Sequence, residues 1–277
     1  MDWRLTVKLY QIKQDNPNNS NNQDRQDDGM EEQIALPDLH TALRINLSSS
    51  QTIAFVGAGG KTTSIYTLAK ELSSLGKRVV ITTTTHMFLP DENGVLEENK
   101  ELLLKQLNIS GIAVAGIPCT EKKALGKMSG ISTPFYQWIR RVADYILVEA
   151  DGSKRLPIKV PANHEPVLPD ETDMVVVVGG LSCLNQPLNE CCHRWELAME
   201  LLECSPNKII EPKDMANLLT KGYFYNKENI QLPSYLPRKI YLNQCDNKNM
   251  DKQALKVIAN LKIEGISIDN IIAGNLL

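Results

Sequence analysis

Ile53-Ala54-Phe55-Val56-Gly57-Ala58-Gly59-Gly60-Lys61-Thr62-Thr63 joins an apolar run to a glycine-rich turn, and an amphipathic segment follows. Glycines let a backbone curl until successive N–H groups point inward, which makes a concavity for an anion. A helix opening directly after the turn adds unpaired N–H groups and the positive end of its dipole. The stretch therefore predicts a strand, a phosphate-binding loop and a helix, with Gly57, Ala58, Gly59, Gly60, Lys61, Thr62 and Thr63 around the phosphates of a nucleotide. Lys61 is placed to reach the β and γ phosphates, and Thr62 to set its hydroxyl on Mg2+. The loop is a short form, G-x-x-G-K-T, because Phe55 stands where the longer pattern has its first glycine. Such short loops occur in ATP-dependent ligases that activate carboxylates and in relatives of dimeric metal-delivery GTPases. The competing reading is an ordinary glycine turn.

The chain of 277 residues is long enough for one large α/β domain, and 42% hydrophobic residues can fill a substantial core. Thirty basic against 33 acidic residues give a net charge of −3, which argues against a general nucleic-acid binder. No apolar run is long enough to cross a bilayer. Met1 to Lys13 lacks the continuous apolar stretch of a secretory signal, and the six cysteines contain no Cys-x-x-Cys pair. A cytoplasmic protein with reduced thiols, no membrane association and no nucleic-acid partner is expected.

Gln14 to Gln33 is rich in Asn, Asp and Gln and nearly free of apolar side chains, too polar to offset the entropy of ordering. Residues 1–35 are thus expected to be a leader and disordered linker, with Met1 to Lys13 either a short strand or loosely tethered, and 36–277 the nucleotide-binding domain. Asp38 is expected to cap a short helix through Leu43. Apolar runs predict strands at Thr52–Val56, Arg78–Thr83, Ile112–Ala115, Tyr145–Val148, Met174–Val178, Lys239–Leu242 and Asn270–Ala273. Helices are predicted after the glycine loop up to Gly76, and at Glu97–Leu107, Thr133–Val142, Cys191–Leu202, Lys213–Leu219 and Asp251–Leu261. Alternation of continuously apolar strands with helices implies a three-layer α/β fold of the P-loop NTPase type, a mostly parallel sheet with helices on both faces. Ligands in such folds sit at the carboxyl ends of the strands.

Several polar groups follow directly on predicted strands. Thr82-Thr83-Thr84-Thr85-His86 offers hydroxyls for Mg2+, Thr84 among them, and His86 as a group that orients an attacking water. Threonine also simply favours strands. Glu149 and Asp151 end the Tyr145 strand two residues apart, so an extended chain sends both the same way, one to hold magnesium and one to polarise the attacking group. Asp151 to His164 forms a long polar loop from which Lys154 or Arg155 could neutralise transition-state charge. Asn243-Gln244-Cys245-Asp246 resembles the guanine-reading Asn-Lys-x-Asp motif. Asp246 would accept from the guanine N1–H and amine, Asn243 would face the opposite edge, and Gln244 replaces the lysine. His193-Arg194 and the adjacent thiols Cys191-Cys192 carry a weaker signal, since cysteines are commonly small core residues.

Taken together, Val56 to Thr63, Thr82 to His86, Glu149 to Lys154, His164-Glu165-Pro166-Val167 and His193-Arg194 resemble, in the same order, the selenium-dependent hydroxylase accessory proteins of the YqeC type. The resemblance runs from about Leu36 to the C-terminus. It implies a P-loop NTPase that helps to mature a selenium-containing molybdenum hydroxylase, and hence a protein partner, either that hydroxylase or its maturation factors. Three functions are carried forward. The first is an Mg2+-dependent hydrolase of GTP or ATP, with GTP preferred, in which Lys61, Glu149, Asp151 and His86 are catalytic and Thr62, Thr84, Glu149 and Asp151 surround the metal. The second is an ATP-dependent ligase or kinase with a small acceptor. The third is a scaffold that binds nucleotide without turnover.

Overall fold

The computed structural model describes residues 8–12, 33–225, 233 and 235–276. In chain order the first half runs β1 (Lys8–Ile12), β2 (Gln33–Leu36), α1 (Leu39–Leu43), β3 (Gln51–Gly57), α2 (Lys61–Ser74), β4 (Val79–Thr83), β5 (His86–Phe88), β6 (Gly94–Val95), α3 (Lys100–Ser110), β7 (Ile112–Ala115), β8 (Ile117–Pro118), β9 (Lys127–Ser129) and α4 (Thr133–Ile139). The second half runs β10 (Tyr145–Glu149), β11 (Ile158–Lys159), β12 (Met174–Gly180), α5 (Leu188–Cys191), β13 (Cys192–His193), α6 (Trp195–Leu202), α7 (Pro212–Tyr223), β14 (Arg238–Asn243), α8 (Lys248–Ile263) and β15 (Ile271–Asn275).

Ten strands form one sheet in the order β2-β1-β15-β14-β12-β3-β10-β4-β7-β6. From β15 to β6 every pairing is parallel, while β1 pairs antiparallel with both β15 and β2. The strands are apolar throughout because both faces are covered, and side chains alternate between two cores. Ala54 and Val56 of β3, Ile146 and Val148 of β10 and Val175 and Val177 of β12 enter one core with α3, α4, α7 and α8. Ile53, Phe55, Tyr145, Leu147, Val176 and Val178 enter the other with α1 and α2. The α2 stripe of Ile65, Leu68, Ala69 and Leu72 is fully buried, and each of its larger side chains contributes about 1.5–3 kcal/mol by leaving water. The three-layer α/β expectation therefore matches the structure.

Differences have local causes. The folded chain includes β1, whose Leu9, Tyr10 and Ile12 are buried, so the first sheet strand precedes Leu36. The Asn-rich residues 13–32 lie outside the described residues. Helix α3 starts at Lys100, three residues later than Glu97, because Asn99 caps it by accepting from the Leu102 N–H. The helix expected over Cys191–Leu202 is broken. Cys192 and His193 pair with Ile158 and Lys159 as strands, and Arg194 adopts a left-handed φ of 64° before α6 begins.

Candidate functional site

The centre of the sheet sets the site. Strand β3 ends in the glycine loop, with β12 and then β14 on one side and β10 and then β4 on the other. Gly57, Gly59 and Gly60 have φ of +92°, +81° and +128°. A Cβ on Gly57 would stand 2.2 Å from the Val178 carbonyl oxygen, and one on Gly60 would stand 2.0 Å from Asn243 Nδ2, so the sharp turn is available to glycine alone.

The loop divides in two. Its first half is anchored to protein: the Gly57 N–H donates to Asp151 Oδ2 at 3.0 Å, and the Ala58 N–H donates to the Val178 carbonyl at 2.9 Å. Its second half, Gly59 to Thr63, lines a cavity of about 790 Å3, a size ordinary for small-molecule sites. Helix α2 opens there with Gly60 as N-cap and no side-chain cap, which leaves its first N–H groups turned outward for an anion. Gly57 and Ala58 thus hold the loop, and Gly59 to Thr63 present it.

Thr62 Oγ1 donates to Glu149 Oε2 at 2.7 Å, and Glu149 also lines the cavity. Burial raises the Glu149 carboxyl above its ordinary range, while Lys61 and the Thr62 hydrogen bond pull it back. A hydroxyl and a carboxylate already in register beside the loop are a donor set suited to hard oxygen-seeking Mg2+. Lys61 Nζ donates to the Gly57 carbonyl at 2.6 Å and lies 3.1 Å from Asp151 Oδ1.

Asp151 is not a second cavity carboxylate. It has no exposed surface, and its Oδ2 accepts from Gly57 N–H and from Tyr223 Oη at 3.2 Å and pairs with Lys159 Nζ at 3.1 Å. The chain turns after Glu149, so the two acids diverge, one into the cavity and one beneath the loop. Asp151 therefore lies among Lys61, Lys159 and Tyr223 beneath the loop and is not among the residues that line the cavity.

Behind the loop stands an alternation of charges that sequence reasoning passed over. Lys61 faces Asp151, Asp151 faces Lys159, Lys159 Nζ meets Glu165 Oε2 at 2.6 Å, and Arg194 grips Glu165 through both nitrogens at 2.7 and 2.8 Å. Burial alone would raise the Glu165 carboxyl, but hydrogen bonds from Arg194 and Lys159 outweigh it and hold the group down at about 2. Next to these cations His193, lowered first by burial and then by Arg194 and Lys159, falls to about 4 and is neutral near pH 7. The available signal was Lys159 itself, a lone lysine in the apolar run Leu156 to Val160. Such a residue is buried only with partners.

The remaining predicted residues separate clearly. His86 and Lys154 line the cavity, as do Thr85, Phe88 and Lys127. Thr84 is not among the cavity-lining residues: its hydroxyl donates to the Val167 carbonyl at 2.6 Å, and Thr82 and Thr83 likewise tie β4 to the Ala115 and Glu149 carbonyls. Asn243 touches the loop: its Nδ2 donates to the Gly59 carbonyl at 2.8 Å and its Oδ1 accepts from Tyr241 Oη at 2.9 Å. Gln244 lines the cavity and accepts from Ser182 Oγ at 2.6 Å. Asp246 is exposed, and neither it nor Asn243 is among the cavity-lining residues. Cys191 and Cys192 are buried thiols pushed up by burial to about 11 and about 12, as core cysteines are.

Comparison with known proteins agrees with the motif pattern. A family model described as YqeC protein matches residues 53–196. The chain is 30% identical to "Uncharacterized protein YqeC" of Escherichia coli (strain K12) over 243 residues, which cover 83% of this chain and 93% of that protein. Among solved structures, FtsY from Mycoplasma mycoides aligns at 12% identity with a TM-score of 0.38, covering 81% of this chain and 62% of that one. Chloroplast FtsY from Physcomitrella patens aligns at 16% identity with a TM-score of 0.42, covering 84% and 65%. The chain thus spans under two thirds of the length of those two structures.

Proposed function

The chain belongs to the YqeC family, and from that membership and the geometry of its loop we propose that it binds and hydrolyses a nucleoside triphosphate with Mg2+, as a cytoplasmic accessory in the maturation of a selenium-dependent molybdenum hydroxylase. The observation that carries the reading is the uncapped Gly59–Thr63 arc with Thr62 already hydrogen-bonded to Glu149. The arc supplies N–H donors to the phosphates. Lys61 leaves the Gly57 carbonyl to reach the β and γ phosphates, and Asp151 guides its ammonium from below. Thr62 and Glu149 would hold Mg2+, which when bound neutralises charge on the β and γ oxygens. His86 and Glu149, both on the cavity wall beyond the loop, orient the attacking water.

The choice of base is open between GTP and ATP, because Asn243 is committed to Gly59 and Asp246 stands outside the cavity. Calorimetric titration of GTP, ATP and their diphosphates, with and without Mg2+, tests the whole reading. Triphosphate binding that requires Mg2+ and weakens at least tenfold in Lys61→Ala supports it. Equal affinity in that variant, or no binding of either nucleotide, overturns it. The step in maturation is tested by adding the purified hydroxylase as its selenium-free form, with stimulated phosphate release as the expected result.

A further inference from the structure

The cavity lining extends well past the phosphate loop, and part of that lining is cationic. Its wall is built by three segments remote in sequence: Phe88 on β5, Lys127 on β9, and Lys154 with Arg155 in the loop after β10. Strand β9 pairs with β5, which holds Phe88 beside Lys127. The Lys127 ammonium lies 5.5 Å and the Arg155 guanidinium 4.6 Å from the centre of the Phe88 ring. Half-exposed Phe88 therefore orders two cations at the rim through its ring face. Lys127, Lys154 and Arg155 make no carboxylate ion pair among the described residues. Of the two acids in the cavity lining, Glu149 accepts from Thr62 and Glu165 is already held by Lys159 and Arg194.

Sheet order shows which end this is. Gln244 at the end of β14 lies on one side of the glycine loop, whereas Glu149 of β10 and the segment following β4 lie on the other. On the nucleotide reading, Thr62 and Glu149 would mark the metal and γ-phosphate side, and the cationic wall, reached from the segments after β4 and β10, would lie on that side, away from β14.

We propose that this wall is a second ligand site, specific for a small organic anion bearing a carboxylate or phosphate group, bound alongside the nucleotide. Lys127 and Arg155 hold the anionic group and Phe88 holds the cations in place. This assignment rests on the nucleotide reading for its neighbour but not for its own charge. Lys127, Lys154 and Arg155 line the same cavity, and like charges gathered in one concavity favour the entry of a counter-charge.

The test is calorimetry on the full chain saturated with Mg2+ and a non-hydrolysable triphosphate analogue, titrated in separate arms with malonate and with inorganic phosphate. The expected result is one equivalent of anion, with the tighter arm identifying the group recognised. Lys127→Gln weakens that anion at least fivefold and leaves the nucleotide affinity within twofold. Phe88→Leu, which keeps every charge and releases the cations, also weakens it at least threefold. Absence of anion binding to the saturated chain, or equal affinity in both variants, overturns the proposal. If the wild-type chain binds no nucleotide, the hydrolase reading fails by itself, and the same titrations on the nucleotide-free chain decide the wall: sensitivity to Lys127→Gln supports it and insensitivity overturns it.

Discussion

Lys159 is 1% exposed and answers two carboxylates and a carbonyl at once. Burying an ammonium costs several kcal/mol unless its partners are fixed, so the alternation Lys61, Asp151, Lys159, Glu165, Arg194 is held as a unit. Lys159→Met removes one cation from it. Loss of one partner from a buried pair typically costs about 3–5 kcal/mol. The low end is expected here, because Asp151 keeps Lys61 and Glu165 keeps Arg194; urea denaturation gives the figure, and a change below about 1 kcal/mol would show the charges to be independent. The same residues give acid sensitivity a sign. Glu165 moves from 4.5 unfolded to about 2 folded, so the unfolded chain binds the extra proton between those values. Its contribution is complete above pH 4.5 and disappears as pH falls toward 2. His193 moves from 6.5 to about 4, so the unfolded chain alone binds its proton between those values: the group has no effect on stability above pH 6.5 and costs stability progressively as pH falls from 6.5 to 4. Stability-versus-pH curves of Glu165→Gln and His193→Phe, each subtracted from wild type, are expected to differ from zero slope in those separate windows.

At the scale of elements, the loop is a device of backbone shape, and its predicted failure is geometric. Gly57→Ala sets a methyl 2.2 Å from the backbone oxygen of Val178. Backbone cannot swing aside as a side chain can, so β3 and β12 must separate at the loop. A loss of at least 2 kcal/mol in stability and loss of Mg2+-dependent nucleotide binding are expected together, read by denaturation and calorimetry. Asn243→Ala removes the hydrogen bond to Gly59 and the one accepted from Tyr241 Oη, each worth about 1 kcal/mol, so it weakens nucleotide about fivefold through the loop contact and costs about 1–2 kcal/mol of stability while the fold persists. Elements governed by local pattern were legible in the sequence: Ile112–Ala115 is a strand to the residue, Asp38 caps α1, and Gly76 follows the end of α2. What escaped was settled by partners distant along the chain. Trp195 to Leu202 is helical as its pattern predicts, but Cys192 and His193, weak helix formers, pair with β11, and Arg194 grips Glu165, so the helix does not extend back to Cys191. Spacing in an extended strand also sent Asp151 into the cavity, and only the turn after Glu149 could show it beneath the loop. Glycines and the lysine were readable because their chemistry is local; of the cationic wall only Lys154 and Arg155 were, because Phe88 and Lys127 join them only after β5, β9 and the loop after β10 pack.

At the scale of the whole molecule, the parallel sheet would end in an open edge at β15 were it not for β1. Ile271, Ile272 and Ala273 of β15 are buried, and an unpaired apolar edge is a template for another chain. Strand β1 closes it antiparallel, seats Leu9, Tyr10 and Ile12 against the core, and brings the Tyr10 hydroxyl within 3.4 Å of Cys245 Sγ. Each of those side chains contributes about 1.5–3 kcal/mol by burial. A chain beginning at Leu36 therefore loses several kcal/mol and exposes the edge, and both effects are measurable, as a lowered midpoint of thermal unfolding and as concentration-dependent light scattering. The glycine loop lies on β3, separated from β15 by β14 and β12. The monomeric fraction of the truncated chain is therefore expected to keep its nucleotide affinity within about threefold, since distant sites without shared partners act additively. Unchanged stability would show β1 to be dispensable to the sheet. A parallel collapse of nucleotide affinity would instead show that edge closure and loop geometry are coupled through Cys245 and Gln244, which follow β14 directly.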